Sequence, residues 1–100
     1  MYILEVLSGP LDGKTWAFDR EISIGRDESL VAASINLDRY ISRRHAHVRE
    51  DGGRLFLSDL ESRNGVSVGG PAGRPAGVAT SLEIGEPFQV GRTQLRVVLG

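Results

Sequence analysis

A chain of 100 residues with 40% apolar and 25% charged side chains makes one globular domain with a single modest core. Its net charge of -1 argues against a general nucleic-acid binder, which carries a basic excess, and the absence of cysteine excludes disulfides, thiolate catalysis and cysteine zinc sites. No apolar run is long enough to span a bilayer and residues 1–7 lack the basic lead-in of a signal peptide, so a cytoplasmic setting without membrane contact is expected.

Taken in chain order, the dominant hydrophobic period is two. Leu4 and Val6 alternate with Ile3 and Glu5, Trp16 and Phe18 with Ala17 and Asp19, and Ile22 and Ile24 follow. Between the first two runs, Pro10-Leu11-Asp12-Gly13 is a turn with a fixed-φ residue early and glycine late. Residues 28–33 are the one helix-like stretch, a turn or two with Asp27 as N-cap. Ile35 and Leu37, Ala46 and Val48, and Leu55 and Leu57 are the next alternating pairs, with Asp51-Gly52-Gly53 as a hairpin tip. Val66 and Val68, Phe88 and Val90, then Leu95, Val97 and Leu99 complete the series. Asn64-Gly65, Gly69-Gly70-Pro71, Gly85-Glu86-Pro87 and Gly91-Arg92 punctuate it as turns. Short half-buried strands at regular spacing predict an all-β sandwich.

Three chemical motifs start well and fail. Gly9-Pro10-Leu11-Asp12-Gly13-Lys14-Thr15 has three residues between its glycines where a P-loop needs four, and a strand-like run follows where a helix is required. His45 and His47 share a strand face, but a metal site there would need carboxylates from elsewhere; hydrogen bonding in a polar surface layer is the plainer role. Ser42 and His45 suggest a hydrolase pair, yet no orienting third group or nucleophile-elbow motif accompanies them. No catalytic residue, cofactor or metal ligand is therefore assigned.

Four fragments point instead to an anion site: Gly25-Arg26, Ser42-Arg43-Arg44-His45, Asp59-Leu60 and Ser62-Arg63-Asn64-Gly65. Each lies where a strand hands over to a loop. Arginine supplies a planar fork suited to phosphate oxygens, a serine hydroxyl adds a short donor, and an amide carries donor and acceptor together. Each also has a plain structural explanation: a serine capping a turn beside solvated arginines, and Asn64-Gly65 as a type I′ hairpin turn. Gly91-Arg92 repeats the glycine–arginine pair and is read as a simple hairpin turn.

Together, Ile24-Gly25-Arg26, Ser42-Arg43-Arg44-His45-Ala46 and Asp59-Leu60-Glu61-Ser62-Arg63-Asn64-Gly65 resemble the forkhead-associated (FHA) domain, in that family's order and approximate spacing, across almost all of residues 1–100. The resemblance implies an antiparallel β-sandwich of about eleven short strands with ligand loops at one end. It implies a signalling module that reads phosphothreonine in a protein or peptide, the product of a Ser/Thr kinase, without enzymatic activity. Arg26 and Ser42 are then the phosphate ligands, Arg43 a further phosphate contact, Arg63 a residue of the same cluster, and Asn64 the holder of the peptide main chain. Gly25, His45 and Gly65 support the loops. A pocket for the γ-methyl would favour threonine over serine, worth ~1–3 kcal/mol. Arg63 stands where many members have a small hydroxyl residue; its backbone N–H could still donate to phosphate, while its side chain must go elsewhere or add its own charge. Ser34 replaces a usual acidic residue, residues 66–70 lack the threonine and aromatic often found after Asn-Gly, and the 69–77 loop is richer in glycine and proline. A phosphate-independent interaction module on the same sandwich is the alternative. A nucleic-acid binder is disfavoured because few exposed aromatics accompany the arginines.

Overall fold

The computed structural model describes residues 1–69 and 73–100. Eleven strands run in the order β1 (Tyr2–Val6), β2 (Thr15–Phe18), β3 (Glu21–Gly25), β4 (Ala33–Ser34), β5 (Ala46–Asp51), β6 (Arg54–Asp59), β7 (Val66–Val68), β8 (Arg74–Pro75), β9 (Thr80–Leu82), β10 (Phe88–Val90) and β11 (Thr93–Leu99). They form two sheets, β2-β1-β11-β10-β7-β8 and β4-β3-β5-β6-β9. All pairings are antiparallel except β3 with β4, which is parallel and joins Ile24 to Ala33 and Gly25 to Ser34.

Alternation decides which side chains face inward. Leu4, Val6, Phe88, Val90, Leu95 and Val97 of the first sheet and Ile24, Ala46, Val48 and Leu57 of the second are fully buried and belong to one core. Their polar neighbours point outward, as in the Glu5–Arg96 ion pair between β1 and β11, with 2.7 Å from Arg96 Nε to Glu5 Oε1. The edges are blunted as sheet edges must be: β4 and β8 have two residues each, and β8 carries Pro75, which donates nothing.

Three local expectations are corrected. Residues 28–33 form no helix: Leu30 N and Val31 N both turn back to the Asp27 carbonyl, and Ala33 leaves to pair with β3. Asp27 still caps that turn, accepting from Ser29 N at 2.9 Å and Ser29 Oγ at 2.7 Å. Ile35 and Leu37 do not share a strand; Ile35 is buried while Leu37 sits in a turn with 62% of its surface exposed. Asn64-Gly65 is not a hairpin turn, because β6 and β7 lie in different sheets, and only Gly65 has positive φ (79°). The Asp51-Gly52-Gly53 hairpin forms as expected, with Gly52 and Gly53 at φ 61° and 80° between the paired Asp51 and Arg54. Of the Gly69-Gly70-Pro71 turn, Gly70 and Pro71 lie outside the described residues.

Four connections meet at one end of the sandwich: β3–β4, β4–β5, β6–β7 and the tight β10–β11 turn. Hydrogen bonds between them fix their mutual positions. The chain ends lie side by side, Gly100 N donating to the Met1 carbonyl beyond the β1–β11 ladder.

Candidate functional site

The floor of this end is laid by Gly25. It is buried as the last residue of β3, and its φ is ordinary. A Cβ on Gly25 would overlap the Arg43 carbonyl oxygen and come within 3.1 Å of Val31 Cγ1. Space is the requirement. It lets Arg26 N donate to the Ser42 and Arg43 carbonyls at 3.0 and 3.2 Å, and Asp27 N to the Arg43 carbonyl at 3.3 Å.

His45 locks the same segment from below. It is fully buried, so the expected place in a polar surface layer is wrong for this residue. Its Nδ1 accepts from Ser42 N–H at 2.9 Å, which leaves the ring proton on Nε2, and Nε2 donates to the Gly65 carbonyl at 2.7 Å. Both nitrogens are spent on backbone. No lone pair is free for a metal or for service as a base, and Ser42 meets the ring through its main chain. The hydrolase and paired-histidine metal readings therefore fail on geometry. His47 is half-buried and meets a different partner, with Nε2 3.3 Å from Glu21 Oε1.

The β6–β7 loop is built from successive caps. Asp59 Oδ1 accepts from Ser62 N at 2.8 Å, Ser62 Oγ accepts from Gly65 N at 2.9 Å, and Leu60 N donates to the His45 carbonyl at 2.9 Å. The positive φ of Gly65 turns the chain into β7. This loop presents Arg63 and Asn64. Asn64 Nδ2 donates to the Tyr40 carbonyl at 2.8 Å, and Arg63 N donates to Ser42 Oγ at 3.0 Å. Across the gap, Arg26 Nε donates to the Ile41 carbonyl at 2.9 Å.

Between these loops lies a surface cleft of about 200 Å³ whose lining includes Arg26, Ser42, Arg43, Arg63 and Asn64. The five residues expected to contact ligand thus line one cleft, and Gly25, His45 and Gly65 lie beneath or behind it. Arg44 does not join them. It lines a separate depression with Asp59, Glu61 and Val78, so only one guanidinium of the adjacent arginine pair serves the cleft. The Arg63 N–H, which could have donated to a phosphate, is used internally on Ser42, while the Arg63 side chain lines the cleft.

Three lining residues escaped sequence reading, Arg39, Tyr40 and Ile41. The Tyr40 ring stacks under Arg92, whose guanidinium carbon lies 4.0 Å from the ring centroid. Nothing local signals this, since Arg92 lies on another sheet's turn. Four arginines line the cleft, and among the described residues no carboxylate does. Asp27 stands just outside it. Its carboxyl is held below the usual range first by the Ser29 hydroxyl and then by the Ser29 N–H, with the positive charges of Arg43 and Arg26 adding. Burial acts the other way, and by more than either arginine charge adds.

The family model for the FHA domain matches residues 22–91, a span containing every cleft residue. No curated protein is matched. Among solved structures, the FHA domain of CT664 protein from Chlamydia trachomatis is 26% identical, with a TM-score of 0.86 over 97% of this chain and 95% of that one. The FhaA FHA domain complexed with the intracellular domain of Rv3910 is 28% identical, with a TM-score of 0.77 over 97% and 99% of the two chains. An FHA domain solved in a structural and functional analysis of phosphothreonine-dependent interactions is also 28% identical, with a TM-score of 0.77 over 99% and 96%. From its matched span, its two sheets and its loop cluster alike, this chain belongs to the FHA domain family.

Proposed function

We propose that this domain binds phosphothreonine-containing proteins, seating the phosphate in the cleft between Arg26, Ser42, Arg43 and Arg63 and holding the peptide main chain with Asn64. The observation that carries the reading is the convergence of arginines from three loops on one serine with no carboxylate among the described lining residues. Phosphothreonine brings about -1.5 to -2 charges at neutral pH and acceptor oxygens that match guanidinium donors. Ser42 Oγ already accepts from Arg63 N–H, so its own proton is free to donate outward. Asn64 spends one Nδ2 proton on Tyr40 and keeps its carbonyl for a peptide N–H. Plain threonine offers none of this charge. The module is a reader and the phosphate-bearing partner, a kinase product, passes through it unchanged.

The test is a titration of one threonine peptide in phosphorylated and plain forms. Phosphopeptide binding with at least tenfold weaker binding of the plain form is the expected result, and equal binding of the two would favour the phosphate-independent module. Arg26→Ala should weaken phosphopeptide binding by ~2 kcal/mol, the low end for a truncated charge pair because Arg26 is solvent-exposed. Unchanged affinity of that variant would remove Arg26 from the site.

A further inference from the structure

Three of the residues proposed to contact ligand, Arg26, Arg63 and Asn64, lean on one short stretch, residues 38–42, which ends in a fourth, Ser42. Arg26 is steered by the Ile41 carbonyl, Asn64 by the Tyr40 carbonyl, and the Arg63 main chain by the Ser42 hydroxyl. What fixes that stretch itself lies at its other end. Asp38 Oδ1 accepts from Tyr40 N at 2.9 Å, closing the turn locally. Asp38 Oδ2 accepts from Arg92 N at 2.8 Å and from Thr93 Oγ1 at 2.7 Å, 54 and 55 residues away in sequence. Thr93 is buried, with 5% of its surface exposed, so its hydroxyl needs a partner.

The fit extends to the glycine between the strands. Gly91 has φ 61°, and a Cβ there would stand 2.6 Å from Ile41 Cγ1 and 3.0 Å from Asp38 Oδ2. The β10–β11 turn is thus shaped against the 38–42 stretch, and Arg92 adds its stack on Tyr40. A two-residue turn joining adjacent strands needs none of this to form.

On the reading that the cleft binds phosphothreonine, the structure assigns Asp38 as its positioning residue. The carboxylate anchors residues 38–42 to the β10–β11 turn, and through them sets Arg26, Ser42, Arg63 and Asn64 together before ligand arrives. Asp38 touches no ligand. Its charge is useful because two backbone N–H groups and one hydroxyl converge on it, and a carboxylate accepts all three where an amide of the same shape presents donors to donors. Preorganisation of this kind raises affinity by lowering the cost of ordering the loop on binding.

Asp38→Ala and Thr93→Val, beside the parent domain, test this with a pool of phosphothreonine-centred peptides and with NMR. Two signals report on the stretch without ligand: hydrogen exchange of the Ser42 amide, and the Arg26 Nε–H resonance. In Asp38→Ala the Ser42 amide should exchange at least tenfold faster and the Arg26 Nε–H signal should shift or broaden. Amides of Leu4 and Val97, far along the β1–β11 ladder, should stay as in the parent. Phosphopeptide affinity should fall about tenfold, and Thr93→Val should show the same changes more weakly. Unchanged Ser42 and Arg26 signals, acceleration spread evenly over the molecule, or full affinity despite a loosened loop would each overturn the assignment. If the parent binds no phosphopeptide, the function proposed for the cleft fails, while the ligand-free signals still decide whether Asp38 fixes the stretch.

Discussion

Asp27 shows how one carboxylate can stand beside an arginine-lined cleft without lining it. Its charge lies within reach of Arg26 and Arg43, and its hydrogen bonds are made to Ser29. Because its folded-state value is depressed below the ordinary 3.8, its contribution to stability is full above that pH and is lost as pH falls through the lowered value. Asp27→Asn keeps an oxygen for the Ser29 donors and deletes the charge. A titration at neutral pH should then show phosphopeptide binding a few-fold tighter than the parent's, and weaker binding would mean that the turn, and not the charge, is what Asp27 supplies. Single residues differ in how openly the sequence declares them. Arg26, Ser42 and Asn64 sit in short recognisable fragments, so they could be named in advance. Asp38 could not, since its meaning comes from Arg92 and Thr93 on a distant turn.

At the level of strands, alternation located most of the sandwich because inward positions on a two-sheet fold repeat every second residue. It failed where tertiary pairing overrode local pattern. Residues 28–33 have helix-compatible composition, yet the turn on Asp27 delivers Ala33 to a parallel pairing with Ile24. Asn64 and Gly65 carry hairpin letters, but the chain there crosses between sheets. The join of β3 to the β4–β5 loop is the tightest such junction. Gly25→Ala forces a methyl into the Arg43 carbonyl, and the strand end or the loop must yield. Overpacking of this kind costs ~1–3 kcal/mol. Denaturant titration should show a lower midpoint with unchanged slope, and phosphopeptide affinity should fall with it as Arg43 is displaced. An alanine variant as stable as the parent would show that the loop moves aside freely.

Across the whole molecule, a net charge of -1 conceals a local concentration of arginine. Bulk composition could exclude a generic polyanion binder but could not reveal that Arg26, Arg39, Arg43 and Arg63 share one cleft, because that depends on three loops meeting. Such a patch acts over a Debye length, about 10 Å at 0.1 M salt. Raising salt from about 0.05 to 0.5 M should therefore weaken phosphopeptide binding severalfold, and lowering pH below about 6 should weaken it again as the phosphate takes up a proton. Fluorescence anisotropy over both ranges measures this, and a flat salt response would contradict an electrostatic grip. The adjacency of Met1 and Gly100 has its own outcome. β11 carries the chain some 20 Å from Thr93, beside the arginines, to Leu99 at about 3.3 Å per residue. Both chain ends lie together, far from the cleft. A dye or an affinity handle joined at either terminus should therefore leave the arginine-lined cleft uncovered.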